Sequence, residues 1–151
     1  MQQRCIIERQ SIMNEEEELR QHGLKSTRVR KEVLRVIATS AKALSHKEIQ
    51  SQLSEKADRV TLFRLLHDFE QKGIIHKALD IKGVSVYAYC HHTCNEHGHS
   101  HTHGHFQCKQ CDSVFCMNQT DIVLNSMPTG FIIDKIEMTM YGICKECSNT
   151  L

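Results

Sequence analysis

The 151-residue chain has no tryptophan, a single proline, only 5% aromatic residues and almost no excess of either charge, with a formal net charge of +1. It also lacks any run of 18 apolar residues, so no segment is expected to span a membrane. No apolar stretch ending in small residues opens the sequence, which we read as the lack of a secretory signal. The cysteines are therefore expected in a reducing cytoplasm, where metal binding is favoured over disulfides. Hydrophobic residues make up 40% of the chain, enough for a core, and this excludes bulk disorder. A net charge near zero argues against a nucleic-acid partner only if it is evenly spread.

It is not. Residues 1–19 carry a net −3, residues 20–82 a net +7 and residues 83–151 a net −3. A basic segment between acidic ones is a footprint for a polyanion, although chance asymmetry on a solvated surface gives the same arithmetic. Seven of the 11 histidines lie between His91 and His105, and seven of the eight cysteines follow Tyr89. The chain reads as a basic part over 1–89, with 1–19 as an N-terminal helical extension, a His-rich linker over 90–104, and a metal-ligand-rich part over 105–151.

The first part predicts three helices and a hairpin. Residues 3–22 contain no helix breaker before Gly23. Val29, Val33, Leu34 and Ile37 follow helical spacing. Ser45-His46-Lys47-Glu48 matches a capping box, with Ile49 and Leu53 behind it. Val60, Phe63, Leu66 and Phe69, with Leu62, form a third apolar stripe that Gly73 stops. Residues 74–78 and 84–89 alternate as strands around the turn Asp80-Ile81-Lys82-Gly83. Three helices and a hairpin make a winged helix-turn-helix, whose last helix enters the major groove. Arg59, Thr61 and Arg64 are polar positions on that helix. Arginine pairs bidentately with guanine, and a threonine methyl meets a thymine methyl. Lys25, Arg28 and Arg30, near the start of the second helix, are candidates for phosphate contacts.

The second part carries metal chemistry. Cys108-Lys109-Gln110-Cys111 and Cys144-Lys145-Glu146-Cys147 are two C-x2-C pairs, each able to present two thiolates from a tight turn. Together they complete a tetrahedral structural zinc site. Nothing thioredoxin-like surrounds either pair, which weakens a redox reading. Next come His101, His103 and His105. Alternation places them on one strand face, where they can converge on a second ion. Cys90, at the end of the wing strand, and Cys116, on a partner strand over 113–117, are the further thiols placed to join it. The alternative for each is a small buried apolar residue. His76 on the first wing strand would tie the two parts together as a ligand, or would be an ordinary surface histidine. The segment 120–127 reads as a short helix ended by Pro128. Residues 131–137 and 138–142 read as a long strand. A small sheet with a large apolar face usually needs a partner, so a homodimer through this part is expected.

Together these residues resemble the ferric uptake regulator family of metal-dependent bacterial repressors, over roughly residues 19–148. Gly23-Leu24-Lys25-Ser26-Thr27 followed by Arg30 is similar to its first-helix motif, and Thr61-Leu62-Phe63-Arg64 to its recognition-helix motif. The His-x-His-x-x-Cys-x-x-Cys segment and the terminal Cys-x-x-Cys complete the set. The resemblance implies an α+β chain: an N-terminal winged helix-turn-helix domain and a C-terminal α/β dimerisation domain with structural zinc. It further implies a homodimeric repressor on a palindromic operator in double-stranded DNA, with no membrane and no small organic substrate. It maps the structural zinc onto Cys108, Cys111, Cys144 and Cys147, and the regulatory ion onto Cys90, His103, His105 and Cys116. His76 is an additional or alternative ligand, His101 a further candidate, and Phe63 joins the DNA-contacting residues.

Departures are informative. The family's acidic ligand is Cys116 here, a usual histidine falls at Ala43, another at Ile136, the motif tyrosine is Phe63 and a proline is Val29. Two thiolates with imidazoles suit zinc, whereas iron(II) prefers carboxylate oxygen in higher coordination. The regulatory metal is thus expected to be zinc, as in the family's zinc uptake branch, with iron as the alternative. A zinc enzyme would need a general base beside the metal, and Glu96 is the only nearby acid. A metal-storage protein would use the His-rich segment and leave no DNA footprint.

Overall fold

The structure is a computed structural model that describes residues 14–55, 57–90, 103–117, 128–132 and 136–150. The expected helix over 120–127, most of the linker over 90–104, and the residues before Asn14 lie outside these.

Helix α1 (Glu15–Gln21) starts at Asn14, whose side chain accepts the Glu16 amide at 3.2 Å. Its first turn is Glu15 to Glu18, negative charge where the helix dipole favours it. Helix α2 (Arg28–Thr39) is capped by Thr27 and buries Val33, Leu34 and Ile37. A two-residue strand, β1 (Leu44–Ser45), leads into α3 (His46–Ser51). The capping box is present: the Glu48 amide donates to the Ser45 hydroxyl at 3.3 Å, and the Ser45 amide donates to the Glu48 carboxylate at 2.8 Å.

Helix α4 (Arg59–Gln71) begins at Asp58, whose carboxylate accepts the Val60 and Thr61 amides at 3.0 Å. Its buried residues are Leu62, Leu65, Leu66 and Phe69. Val60 and Phe63, expected in this apolar stripe, are instead 58% and 64% exposed. Leu65 takes the place they were assigned, because the helix turns its 62-65-66-69 face to the core. The helix ends where Gly73 (φ 72°) turns the chain and the Ile74 amide reaches back to the Phe69 carbonyl at 2.9 Å.

Strands β2 (Ile75–Ile81) and β3 (Val84–Tyr89) form the wing hairpin. Its turn is just Lys82 and Gly83, both at positive φ (51° and 81°), the two-residue geometry that matches strand twist. The first strand thus runs on through Asp80 and Ile81, which the sequence placed in the turn. With β1 the order is β1-β3-β2, all antiparallel. The main core joins Leu19 of α1, Leu34 and Ile37 of α2, Ile49 of α3, Phe69 of α4 and Ile75 of β2.

The second sheet has the order β5-β4-β6, from β4 (Gly104–Cys108), β5 (Val114–Met117) and β6 (Thr139–Gly142). β4 pairs antiparallel with β5 and parallel with β6. Helix α5 (Lys145–Ser148) follows. The expected strand over 131–142 is shorter: among the described residues only Thr139–Gly142 pairs, while Phe131, Ile132 and residues 136–138 lie outside any strand. β4 also begins later than the histidine alternation suggested, so His103 sits in a bend just before it.

The two sheets touch directly. The Ala43 amide donates to the Val114 carbonyl at 2.8 Å, and Lys82 Nζ lies 3.3 Å from Asp112 Oδ2. Ala43, Ala78, Val86, Ala88 and Val114 form a second buried cluster, with Leu79, Ile81 and Cys116 packed on it.

Candidate metal centres and nucleic-acid interface

Cys108 ends β4 and is fully buried, Cys111 lies in the following turn, Cys144 caps α5 and Cys147 lies within it. The turn is shaped by three backbone bonds: Asp112 amide to Cys108 carbonyl (3.0 Å), Cys108 amide to Ser113 carbonyl (2.9 Å), and Lys109 amide to Gly142 carbonyl (2.8 Å). The last bond ties the first cysteine turn to the end of β6, just ahead of the second pair. The four sulfurs lie within 4.8 Å of one another. Cys111 and Cys144 Sγ are 3.8 Å apart, which matches the edge of about 3.8 Å expected of a tetrahedron with Zn–S near 2.3 Å. The Cys144 amide donates to Cys108 Sγ at 3.3 Å and, with further amides, draws that thiol down to about 6. Cys147, crowded chiefly by Cys144, is pushed up to about 12. Thiols this close cannot all ionise unless a cation sits among them, so the donor set fits a soft divalent ion.

A second group comprises His76, His103, His105 and Cys116, with ligand atoms again within 4.8 Å of one another. His76 Nε2 lies 3.2 Å from His105 Nε2, 3.3 Å from His103 Nε2 and 3.4 Å from Cys116 Sγ. A tetrahedral zinc with Zn–N near 2.05 Å needs edges of about 3.3 Å. His76 comes from β2 of the wing and is 5% exposed. The other three come from the second sheet or its entrance. Burial, then the neighbouring His103, lowers His105 to about 4, and burial raises Cys116 to about 12. The imidazole of His105 is thus held neutral, the form that ligates a metal.

The residues brought together differ in one place from the expected regulatory set. Cys90 lies outside the group of four: its Sγ is 3.3 Å from His76 Nδ1, behind the ring rather than in front of it. His76, the additional or alternative ligand of the sequence reading, is the fourth member of the group. Its alternation on β2, opposite Ala88, aims the ring toward β5, while Cys90 has just left β3. His101 lies outside the described residues.

On α4, Arg59, Thr61, Phe63 and Arg64 are exposed, together with Val60 and His67. The sequence did not single out Val60 for this face, having assigned it to the core. The Thr61 hydroxyl donates to the Asp58 carboxylate, so its methyl is the part left to face outward. Lys25 is exposed, and Arg28 forms an open ion pair with Glu55 at 2.9 Å. Arg30 stands differently. Its guanidinium is 21% exposed, 2.8 Å from Asp68, and donates to the Lys25 carbonyl at 3.3 Å, so it fastens α2 to α4.

Residues 21–141 match the sequence description of the Ferric uptake regulator family. The chain belongs to that family. Its members are transcription regulators, not enzymes. A ferric uptake regulation protein of Bordetella parapertussis is 29% identical over 143 residues, covering 89% of this chain and 97% of its own. A peroxide-responsive repressor PerR of Staphylococcus aureus is 27% identical, covering 95% and 98%. The structure of a zinc uptake regulator complexed with zinc and DNA superposes with a TM-score of 0.60 at 22% identity, covering 89% of this chain and 91% of that one, and so shares the fold. Within the ferric uptake regulator match lie the exposed face of α4 and the whole His76 group. Cys144 and Cys147 lie just beyond it. Among the described residues no helix is long and apolar enough to cross a membrane.

Proposed function

We propose that this chain is a zinc-responsive transcriptional repressor of metal-uptake genes, acting in the cytoplasm as a homodimer on a palindromic operator. The observation that carries the proposal is the His76 group: one ligand belongs to the winged part and three to the second part. An ion held there fixes the α4 face relative to the second sheet. Two copies joined through that sheet then present two α4 helices at one spacing. Family membership, the exposed Arg59, Phe63 and Arg64, and the relatives named as metal and peroxide regulators support this reading. The exposed apolar residues Phe131, Ile132, Tyr141 and Ile143 supply a surface for the second copy.

The domains follow as 1–89 for DNA binding, 90–104 as linker and 105–151 for metal binding and dimerisation. Cys108, Cys111, Cys144 and Cys147 hold structural zinc, which supplies folding energy. His76, His103, His105 and Cys116 hold the regulatory zinc, with Cys90 supporting the His76 ring. Lys25 and Arg28 contact phosphates, and Arg59, Thr61, Phe63 and Arg64 face the bases. Iron is the second reading, favoured by the Bordetella relative's name. Three imidazoles and a thiol without a carboxylate weigh against it.

The test is operator binding, on a duplex selected from a random library, at buffered free zinc or iron(II). A coupling of about 1–3 kcal/mol changes affinity roughly 5–150-fold between metal-free and loaded protein. His103→Ala and Cys116→Ser are expected to abolish that response while leaving the four-cysteine zinc in place. Unchanged zinc dependence in both variants refutes the regulatory site, and a response to iron(II) alone selects the second reading.

A further inference from the structure

The two parts of the chain meet at more than the His76 group. Along β2 and the wing turn, His76, Ala78 and Lys82 succeed one another. Along β5 and the cysteine turn before it, the reverse order gives Cys116, Val114 and Asp112. His76 Nε2 is 3.4 Å from Cys116 Sγ at one end, and Lys82 Nζ is 3.3 Å from Asp112 Oδ2 at the other. Between them Val114 is fully buried, and among the described residues it is the only buried member of its cluster that the second part contributes. Its neighbours there are Ala43, Ala78, Val86 and Ala88, all from the first part. Its carbonyl accepts the Ala43 amide at 2.8 Å. A cleft of about 300 Å³ opens along the same junction, bounded by Lys82, Asp112 and Val114.

We propose that Val114, with the Lys82–Asp112 pair, is a second, metal-free joint between the two parts, and that it sets how tightly the His76 group holds its ion. This rests on the reading of that group as the regulatory site. His76 can ligate together with the other three residues only when the parts are docked. The apparent metal affinity is therefore the intrinsic affinity scaled by the docked fraction. Val114 and Asp112 belong neither to the His76 group nor to the exposed face of α4, and act by positioning His76 against β5. Once zinc saturates the site, the ion itself holds the parts together and the joint's contribution to DNA binding disappears.

The experiment measures zinc affinity at the regulatory site by chelator competition, in full-length dimer already carrying its four-cysteine zinc. DNA affinity at saturating zinc is measured in parallel. Val114→Ala is expected to weaken zinc binding on the order of tenfold. Asp112→Asn, which tolerates the positive φ of that position, is expected to weaken it about twofold, the scale of an exposed ion pair. Both should match wild type in DNA affinity at saturating zinc. The exchanged pair, Lys82→Asp with Asp112→Lys, should recover the zinc affinity that Lys82→Asp alone loses. Should Val114→Ala fail to fold, the charge variants at the exposed turn carry the test. Wild-type zinc affinity in the variants, beside a normal zinc response in the parent, overturns the joint alone. Equal loss of DNA affinity at saturating zinc also overturns it. A parent without any zinc response overturns the regulatory reading, and this inference with it.

Discussion

Single atoms decide which cysteine does what. Cys108 is buried and already receives the Cys144 amide, so its sulfur links the first cysteine turn to the second before an ion is considered. Cys108→Ser should therefore do more than lower metal content. It should release the zinc and unfold the second sheet, read as zero zinc per chain at the structural site and loss of the dimer in sedimentation. A folded dimer retaining that zinc contradicts the assignment. The same scale shows what sequence spacing reveals. The two C-x2-C pairs were legible because each turn fixes its own geometry. Which of Cys90 and His76 joins the group of four was not legible, since it depends on which nitrogen of one imidazole each sulfur faces. At position 43, where the resemblance expects a histidine, Ala43 contributes a backbone amide and a methyl group to packing instead.

At the scale of elements, α4 carries the sharpest expectations. Arg64→Ala should cost about 1–3 kcal/mol of operator affinity and relax specificity at one base position. Lys25→Ala should weaken all sequences alike and reduce the salt slope by about 1. Arg30→Ala should act mainly on stability, because its partner is Asp68 of α4. The reverse pattern in salt titrations would exchange their roles.

The cap of α4 titrates as well. The Asp58 carboxyl is held below its ordinary value, first by the Thr61 hydroxyl and then by the Thr61 and Val60 amides. A depressed folded value means a contribution fully present above the unfolded value and lost as pH falls through the folded one. The stability gap between wild type and Asp58→Asn, measured by urea denaturation, should narrow as the pH falls from about 5 to about 3. A constant gap removes the titration from the cap. The long elements with caps were legible because propensity, capping and period agree in them. β1 was not, since two residues show no period. The full face of α4 was not either: Val60 and Phe63 satisfy an apolar stripe by spacing yet face outward, and only the family resemblance pointed to Phe63 there.

For the whole molecule, the near-zero charge conceals a partition: the basic segment supplies most of the winged part, one acidic segment precedes it, and the other supplies the second sheet. The domain order was legible because composition shifts where β3 ends. The packing of one part on the other was not, because Ala43 and Val114 are 71 positions apart and neither carries a signal. Tyr141 is an exposed apolar residue on the β6 edge of the second sheet. Tyr141→Asp should shift the protein toward monomer in equilibrium sedimentation and weaken operator binding with it. Unchanged dimer affinity would move the interface elsewhere.

The pairing of β4 bears on the order in which the protein is made. Its antiparallel partner β5 follows within a few residues, whereas its parallel partner β6 begins about thirty residues later. Local pairs close sooner than distant ones, and a chain leaves the ribosome from its N-terminus. The winged part, the β4–β5 hairpin and the His76 group are therefore all available while Cys144 and Cys147 are still unsynthesised. Until then Cys108 and Cys111 are half of the four-cysteine group, which closes only once the second Cys-x2-Cys pair has followed β6.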